Sequence, residues 1–330
     1  VCTNKCTKRA FPEVLSQETV EMNDHVPTVS VFMKSYNHAQ FIGEAIESVV
    51  QQDFEDLELI IVDDASTDGS REIIEHYARD DSRIRTLFHE HNLGITKVVN
   101  DGISAAQGTF IAQIDSDDVW ARDKLIKQLA ILEQNEEAII WSEGELIDQN
   151  SRPLSITFSE MVKSTKKKKS GKIFPELLVG NYVFGSTLLY KRANLNGLRY
   201  DERFLYNNDY QFLLELAHEY EFNYLSEPLA KYRVHGGNTL AGVGVEAEKR
   251  RNVARAEEIT IRQEALQRYE FELSEITIAE AYASIAKCYS SLGNNKEARR
   301  LYVRAIRHNP HSRSTATFVF RALKAIFPSN

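Results

Sequence analysis

The sequence has no long apolar run and little cysteine, and each absence narrows the class of protein. No stretch approaches the roughly 20 apolar residues that a membrane-spanning helix needs. The first residues are polar and lack the apolar core of a secretory signal. Cysteine occurs only at Cys2, Cys6 and Cys288. Because disulfides belong to oxidising compartments, we interpret Cys2 and Cys6 as a reduced pair on a loose cytosolic tail, with a disulfide or metal ligation as alternatives.

Basic residues are fewer than acidic residues. The 330 residues include 40 Lys or Arg and 48 Asp or Glu, a formal net charge of −8, which argues against a nucleic-acid partner. Apolar residues at 42% and charged residues at 27% are ordinary for a soluble globular protein. The length allows one large catalytic domain and a smaller appendage.

Strand and helix patterns alternate through the first half of the chain. Residues 1–26 lack periodicity and are expected to form a flexible leader. The order that follows predicts an α/β domain over residues 27–243, with a mostly parallel sheet and helices on both faces. The predicted strands of the first half are 29–33, 57–62, 84–88, 110–114 and 138–141.

The pattern loosens after residue 150. Residues 150–180 are polar and include the run Lys166–Lys169, which we interpret as a solvated, mobile loop, with a binding role as the alternative. From Val245 the chain is predicted to be helical to its end, so residues 244–330 are expected to form an α-helical region.

Carboxylates gather where two predicted strands end. Asp63 and Asp64 follow one strand, and Asp115, Asp117 and Asp118 follow another. In an open parallel sheet, ligands bind beyond the carboxyl ends of the strands. Clustered carboxylates repel unless a cation neutralises them, and hard oxygen ligands suit Mg²⁺ or Mn²⁺. The alternative is that these residues only end a strand and cap the next helix.

The order of short motifs resembles a known family. Residues 28–240 resemble a family 2 glycosyltransferase of the GT-A fold, and the ordered set is far more specific than any one motif. The motifs are Ser35-Tyr36-Asn37, Val62 to Ser70, Asn92-Leu93-Gly94, Asn100, Gly108, Gln113 to Asp118, Asn208-Asp209-Tyr210 and Tyr232-Arg233-Val234-His235.

The resemblance implies a nucleotide-sugar donor and a divalent metal, Mn²⁺ or Mg²⁺. Asp64 would accept the N3–H of a uracil, which favours UDP. Asp115 would contact the ribose or the metal, Asp117 would ligate the metal, and His235 would join the metal or the donor phosphate, with a buried structural histidine as the alternative. The donor nucleotide would also meet Ser35, Tyr36, Asn37, Asn92 and Gly94.

The resemblance also implies an inverting transfer with Asp209 as the general base. Asp209 begins a predicted helix, where a negative charge is favoured, although a simple N-cap is the alternative. The family often has an acidic residue where this chain has Asn208, so the pKa of the base and the acceptor preference are less defined. Asn208 and Trp141 are candidate acceptor contacts, and the acceptor is expected to be a glycan or a lipid-linked glycan.

Residues 279–312 resemble one tetratricopeptide unit. Gly293 marks a turn, while small residues such as Ala286 and Ala298 allow two helices to approach closely. A lone repeat cannot bury its own apolar face, so it either packs as a structural appendage or contacts a protein partner or a second copy.

A basic amphipathic pattern ends the chain. Residues 313–327 combine Phe318, Phe320 and Leu323 with Arg313 and Arg321. This face either caps the repeat or lies on an anionic membrane, so the predicted location is cytoplasmic, with peripheral attachment to the inner membrane face as the alternative.

Two other functions are compatible with parts of the pattern. A sugar nucleotidyltransferase would favour a Gly-rich basic loop after the first strand, where this chain has Lys34-Ser35-Tyr36-Asn37-His38. A non-catalytic nucleotide-sugar-binding scaffold would act through its helical repeat, but the carboxylates at 64, 117 and 209 and the imidazole of His235 argue for catalysis.

Overall fold

The computed structural model describes residues 25–238 and 243–310. The predictions made for the leader, for Cys2 and Cys6 and for the basic segment 313–327 therefore lie outside the described residues. Within the described ranges, no helix is long and apolar enough to cross a membrane.

One mixed sheet organises the described chain. Its strand order is β3-β2-β1-β4-β8-β6-β9-β5, and β7 pairs with β6. The strands are β1 Val29–Ser35, β2 Leu57–Asp63, β3 Ile84–Phe88, β4 Phe110–Asp115, β5 Val119–Trp120, β6 Ile139–Asp148, β7 Pro153–Thr157, β8 Leu189–Lys191 and β9 Phe222–Val234.

The strands of the first half form a parallel block. β1 lies between β2 and β4, with Val29 opposite both Leu57 and Phe110. All seven residues of β2 are buried, as expected for a parallel strand covered on both faces. The predicted α/β architecture with a mostly parallel sheet is confirmed, while β5, β7 and β8 add antiparallel pairings.

Helices cover both faces of the sheet. Alternate residues of β1 point to opposite faces, so Phe32 joins one apolar cluster while Val31 and Met33 join the other. The helices are α1 Ile42–Val50, α2 Ser70–Asp80, α3 Ile95–Ala105, α4 Lys124–Leu132, α5 Phe158–Met161, α6 Phe174–Val179, α7 Asn208–Glu219, α8 Val245–Tyr269, α9 Glu275–Ser291 and α10 Asn295–His308.

The C-terminal helices share a core with the sheet domain. Ile259 of α8 and Ile285 of α9 belong to the same buried apolar cluster as Phe32 and Phe212. Polar contacts reinforce this packing, because the Arg262 guanidinium donates to the carbonyl of Leu178 at 3.1 Å. Residues 244–310 therefore pack as part of one continuous interior.

α9 and α10 form an antiparallel pair. Gly293, with a φ of 79°, lies in the turn between them, and His308 at the end of α10 contacts Glu275 at the start of α9 at 2.7 Å. Ala286 and Ala298 are completely buried. The two predicted helices are present, whereas kinship with tetratricopeptide repeats stays a prediction.

The lysine run is folded into the protein, so the expectation of a solvated, mobile loop is wrong for two of its members. The Lys169 ammonium contacts Ser159, and it lies 3.0 Å from the Tyr224 hydroxyl. Lys167 is half-buried above the ring of Tyr182, at 4.8 Å from its centroid. Aromatic faces and nearby acceptors compensate both ammonium groups for lost water, which a charge count along the sequence does not show.

Candidate functional site

Four strands deliver polar residues to one edge of the sheet. The parallel strands β1, β2 and β4 end at Ser35, Asp63 and Asp115. β9 is parallel to β6, and both β4 and β6 are antiparallel to β8, so β9 ends at this same edge. The order of the pairings therefore brings His235, just beyond β9, toward the acidic cluster after β4, which consists of Asp115, Asp117 and Asp118.

Asp117 lies between two histidines. Its Oδ2 is 2.9 Å from His235 Nε2, and potential ligand atoms of Asp117, His235 and His38 lie within 4.8 Å of one another. Burial by itself raises the pKa of Asp117, but the hydrogen bond from His235 and the charge of His38 outweigh it and lower that pKa. Asp117 is therefore held as a carboxylate beside two imidazoles.

Asp118 has the opposite electrostatic setting. It is buried, accepts the Ser186 hydroxyl at 2.5 Å and accepts the backbone N–H of Arg233 at 3.1 Å. Burial, followed by the charges of Asp117 and Asp115, raises the pKa of Asp118 well above its usual range. Asp118 thus ties the loop of residues 115–118 to the end of β9, and its burial beside two carboxylates disfavours its charged form.

The side chain of Arg233 packs beneath the loop of residues 115–118. Only 1% of Arg233 is exposed. Its Nε donates to the carbonyl of Asp117 at 2.7 Å, and its guanidinium also contacts Glu44 at 2.7 Å and the Ser151 hydroxyl at 2.8 Å. The buried guanidinium therefore fixes the backbone that presents Asp117.

Lys34 at the end of β1 forms an ion pair with Asp115. Its Nζ lies 2.7 Å from Asp115 Oδ1. Burial by itself lowers the pKa of Lys34, but Asp115, with weaker contributions from Asp209 and Asp117, raises it overall. Lys34 is therefore a cation whose charge is felt by all three carboxylates.

Asp209 occupies the first turn of α7, as the sequence predicted. Its Oδ1 accepts its neighbour's backbone N–H at 2.7 Å, and Asn181 Nδ2 approaches Oδ2 at 3.4 Å. Burial raises the pKa of Asp209 despite the opposing charge of Lys34. Asn208, a predicted acceptor contact, is buried and donates to the Thr96 hydroxyl at 2.8 Å, so its amide holds α7 against α3.

Asp64 organises the loop between β3 and α3. It is 2% exposed, and its carboxylate accepts the backbone N–H groups of Leu93 and Gly94, each at 2.8 Å. His89 Nδ1 lies 2.7 Å from the same carboxylate, and Asn92 Nδ2 is 3.4 Å from the Asp64 carbonyl. The predicted donor residues Asp64, Asn92 and Gly94 therefore belong to one local network.

The loop after β1 is linked to the loop after β2. Ser35 Oγ donates to Asp63 at 2.9 Å. Asn37, at a φ of 53°, donates its N–H to Ser66 Oγ and accepts the N–H of Thr67, both at 2.8 Å. Tyr36 is left 48% exposed between them. This arrangement presents the phenol ring to solvent above a fixed backbone.

Trp141 lies apart from these groups. It is completely buried in β6, and its indole N–H donates to the carbonyl of Lys169 at 3.0 Å. Its side chain is therefore not exposed for direct contact with an acceptor, and the predicted contact stays a prediction.

The structure brings Asp115, Asp117 and Asp118 together, but several partners of the site's carboxylates were not predicted. These partners are residues at or just beyond strand ends, and that position is the signal in the sequence that could have identified them: Lys34, His38, His89 and Arg233. The signal is weak, because the contacts between them join segments far apart in the chain.

A family model described as Glycosyl transferase family 2 matches residues 30–196. The chain belongs to this family. A putative teichuronic acid biosynthesis glycosyltransferase, TuaG, of Bacillus subtilis is 37% identical over 152 residues, which cover 44% of this chain and 60% of the relative. WfgD of Escherichia coli, a UDP-Glc:alpha-D-GlcNAc-diphosphoundecaprenol beta-1,3-glucosyltransferase, is 34% identical over 149 residues, 43% of this chain and 57% of the relative. The matched region thus spans less than two thirds of either relative.

Solved structures support the fold. TarS 1-349 of S. aureus in complex with UDP-GlcNAc superimposes with a TM-score of 0.57 at 18% identity, covering 91% of this chain and 88% of that one. The mannosyltransferase PcManGT of Pyrobaculum calidifontis, in complex with GDP-Man and Mn²⁺, gives a TM-score of 0.53 at 17% identity, covering 93% and 89%. The predicted GT-A architecture and family 2 membership are confirmed.

Proposed function

We propose that this chain is an inverting glycosyltransferase that moves a sugar from a nucleotide-diphosphate donor to a hydroxyl group of a glycan or lipid-linked acceptor. The observation that carries the proposal is the ion pair of Lys34 with Asp115 at 2.7 Å, where the charges of Asp209 and Asp117 also raise the pKa of Lys34. A candidate metal ligand and a candidate base thus flank the same cation at one edge of the sheet.

The nucleotide is assigned to the surface beside Tyr36 and Asp64. A carboxylate has about four acceptor positions, and His89, Leu93 and Gly94 occupy three at Asp64. One position is left for a further donor such as the N3–H of uracil. The exposed ring of Tyr36 offers an apolar face for the base. UDP is therefore the nucleotide that we expect.

The acidic cluster suits a divalent cation. Oxygen atoms of Asp115, Asp117 and Asp118 lie within 4.8 Å of one another, as do the ligand atoms of His38, Asp117 and His235. Carboxylates suit Mg²⁺ and Mn²⁺, and imidazole ligands suit transition metals, so the mixed set favours Mn²⁺. Asp117, which belongs to both sets, and His235 would hold the ion, which would neutralise charge on the departing diphosphate.

Asp209 supplies the base. Its raised pKa keeps the carboxylate closer in proton affinity to the hydroxyl that it must deprotonate. As the acceptor oxygen attacks the anomeric carbon, Asp209 takes its proton, and the bond from that carbon to the leaving diphosphate oxygen breaks. A single displacement inverts the configuration. Asn181 and the Tyr210 amide orient the carboxylate for this step.

Several observations support the assignment of the acceptor class. TuaG is named for teichuronic acid biosynthesis, and WfgD is named for a sugar carried on diphosphoundecaprenol. Both names describe glycan assembly, and the name of WfgD includes a lipid diphosphate carrier. We extend this class of acceptor to the present chain without assigning the sugar or the linkage.

The first experiment measures binding and hydrolysis of a panel of nucleotide sugars with Mn²⁺ and with EDTA. We expect a UDP-sugar to raise the thermal midpoint only when metal is present and to release UDP slowly. Asp117→Ala should remove the metal-dependent response. Asp53→Ala, which alters a surface ion pair with Arg122, is the matched control and should behave like wild type.

The outcomes separate the candidate functions. Metal-independent binding without UDP release would favour the non-catalytic scaffold. Release of pyrophosphate from a nucleoside triphosphate and a sugar phosphate would favour the nucleotidyltransferase. An Asp117→Ala variant with full turnover would overturn the metal assignment while leaving the donor site in place.

A further inference from the structure

A cavity of about 710 Å³ lies where the C-terminal helices meet the sheet domain. Val162, Lys163, Lys167 and residues 179–181 form one wall, and the start of α7 contributes Asn207 and Tyr210. α8 and α9 supply the opposite wall. The cavity therefore depends on the helical region that follows the family 2 match.

The lining is rich in positive charge. Five cationic side chains face two carboxylates, although the whole chain carries a net charge of −8. The cations are Lys163, Lys167, Arg255, Arg262 and Lys287, and the carboxylates are Glu258 and Glu280. A local excess of cations in a concave, partly buried site raises the concentration of anionic ligands there.

Only part of this charge is neutralised by the protein. Arg262 contacts Glu258 at 2.6 Å, and Arg255 contacts Glu248 at 2.6 Å. Lys163 and Lys287 are exposed, and their side-chain ammonium groups have no ion-pair or hydrogen-bond partner within residues 25–238 and 243–310. These two ammonium groups are therefore available to a ligand at the cavity.

Lys167 adds a cation that is already partly desolvated. Its Nζ reaches the carbonyls of Glu176 and Gly180 only at 3.4 Å. Burial, followed by the repulsion of Arg262, lowers the pKa of Lys167. Two cations that repel each other across a concave surface are stabilised when an anion lies between them.

The cavity adjoins the proposed base. Asn181 lines the cavity and also approaches the Asp209 carboxylate at 3.4 Å. Asn207 and Tyr210, which flank the base in sequence, line it as well. A molecule held by the lysines would therefore lie beside Asn181, which contacts the proposed base.

We propose that this cavity is the acceptor subsite and that it binds a phosphate group carried by the acceptor. The inference rests on the proposed function for its transfer step, but phosphate binding can be measured without it. The phosphate contacts Lys163, Lys167 and Lys287, while a hydroxyl on the same molecule reaches Asp209. The shared chemistry is a phosphate ester, whether on a soluble glycan or in a lipid headgroup.

The test uses the full chain in EDTA, so that no metal bridges phosphate to the acidic cluster. Calorimetric titration with glycerol 3-phosphate is compared with glycerol, which lacks the charge. We expect glycerol 3-phosphate alone to bind, and Lys163→Glu with Lys287→Glu to weaken that binding by roughly tenfold or more, since each reversal replaces an attraction by a repulsion.

A matched double variant controls for net charge. Lys166→Glu with Lys296→Glu makes the same change at exposed residues that do not line the cavity. It should leave glycerol 3-phosphate binding unchanged, and both double variants should keep the wild-type thermal midpoint. Equal loss of binding in the two double variants, or equal binding of glycerol and glycerol 3-phosphate, would overturn the proposal.

Two further measurements complete the test. One identifies the source of the phosphate, and the other shows whether the donor site fails independently of the phosphate site. Sedimentation of the protein is compared between phosphatidylglycerol and phosphatidylcholine vesicles. If the protein sediments with phosphatidylglycerol vesicles alone and this depends on Lys163 and Lys287, the phosphate belongs to a lipid headgroup. Phosphate binding without sedimentation indicates a soluble glycan phosphate. UDP binding with Mn²⁺ is measured in parallel, so a failed donor site is seen separately from a failed phosphate site.

Discussion

At the scale of single residues, Lys34 decides the electrostatics of the site. It lies 2.7 Å from Asp115 and opposes the effect of burial on Asp209. A cation in this place lets three carboxylates share one edge of the sheet before any metal or donor binds. It also links the ionisation of the proposed base to a residue on another strand.

This link predicts a pH dependence. Because the pKa of Asp209 is raised and the base acts as the carboxylate, kcat should fall as the pH drops through a value above the ordinary ~3.9 of aspartate. Removing Lys34 removes a charge that lowers this pKa. Lys34→Met should therefore move the acidic limb of the kcat profile to higher pH, as measured by UDP release at saturating substrates.

Two controls sharpen the prediction. Lys34→Arg keeps the charge and should keep the limb near its wild-type position. Asp209→Asn should lower kcat by roughly 10²–10⁴ while UDP affinity changes little, since general-base catalysis is lost and the donor site is intact. An acidic limb that does not move in Lys34→Met would show that another group controls the profile.

Residue types at strand ends could be predicted from the sequence, but their partners could not. Carboxylates after apolar runs mark Asp64 and Asp117 because both features are local. The approach of His235 to Asp117 spans 118 positions, and that of Arg233 to Glu44 spans 189. Such pairs depend on strand order, which one sequence does not fix. The same limit explains why the complete burial of Trp141 could not be predicted.

At the scale of elements, α8 positions the start of α7. The Glu257 carboxylate accepts the backbone N–H groups of Leu205, Tyr206 and Asn207 at 2.6, 2.9 and 2.9 Å. Glu257 is 8% exposed, so these bonds form with little competition from water. The residues just before Asp209 are thus fixed by a helix outside the family match.

Glu257→Gln should therefore impair both stability and catalysis. An amide offers one acceptor oxygen and places two donors against backbone donors, which should cost about 1–3 kcal/mol. We expect lower kcat with an unchanged KM for the donor, because the base moves and the nucleotide site does not. Denaturant unfolding and steady-state kinetics measure the two effects.

Glu264→Gln is the matched control on the same helix. Glu264 pairs with Arg203 at an exposed position, where ion pairs contribute little. The Glu264→Gln substitution should change neither the stability nor kcat appreciably. If Glu257→Gln raised the donor KM and spared kcat, the contact would serve the nucleotide site instead of the base.

A helix or strand could be predicted where its own residues carry the apolar pattern of that structure. The five strands of the first half and the helical C-terminal region follow the apolar pattern of the sequence. β9, by contrast, runs from Phe222 to Val234 because it pairs with β6 along its length, while its own composition includes a proline and several charged residues. Tertiary pairing extended it beyond what strand propensity alone supports.

At the scale of the whole molecule, the sheet domain and the C-terminal helices contribute residues to the same buried apolar core. One apolar cluster includes Phe32 on β1, Phe212 on α7 and Leu301 on α10. Arg262 and Glu257 add buried polar contacts across the same boundary. A boundary near residue 243 marks a change of sequence pattern, but the interior continues across it.

This continuity predicts one cooperative unfolding transition. The calorimetric and van't Hoff enthalpies of the full chain should agree, and UDP with Mn²⁺ should shift the entire transition upward. A chain ending at residue 243 should bind a hydrophobic dye and lack a sharp transition, because it exposes the apolar surface that α8 and α9 cover. Two resolved transitions, with UDP shifting only one of them, would instead show that the helical region folds by itself and that the cavity between them is an interface between independent domains.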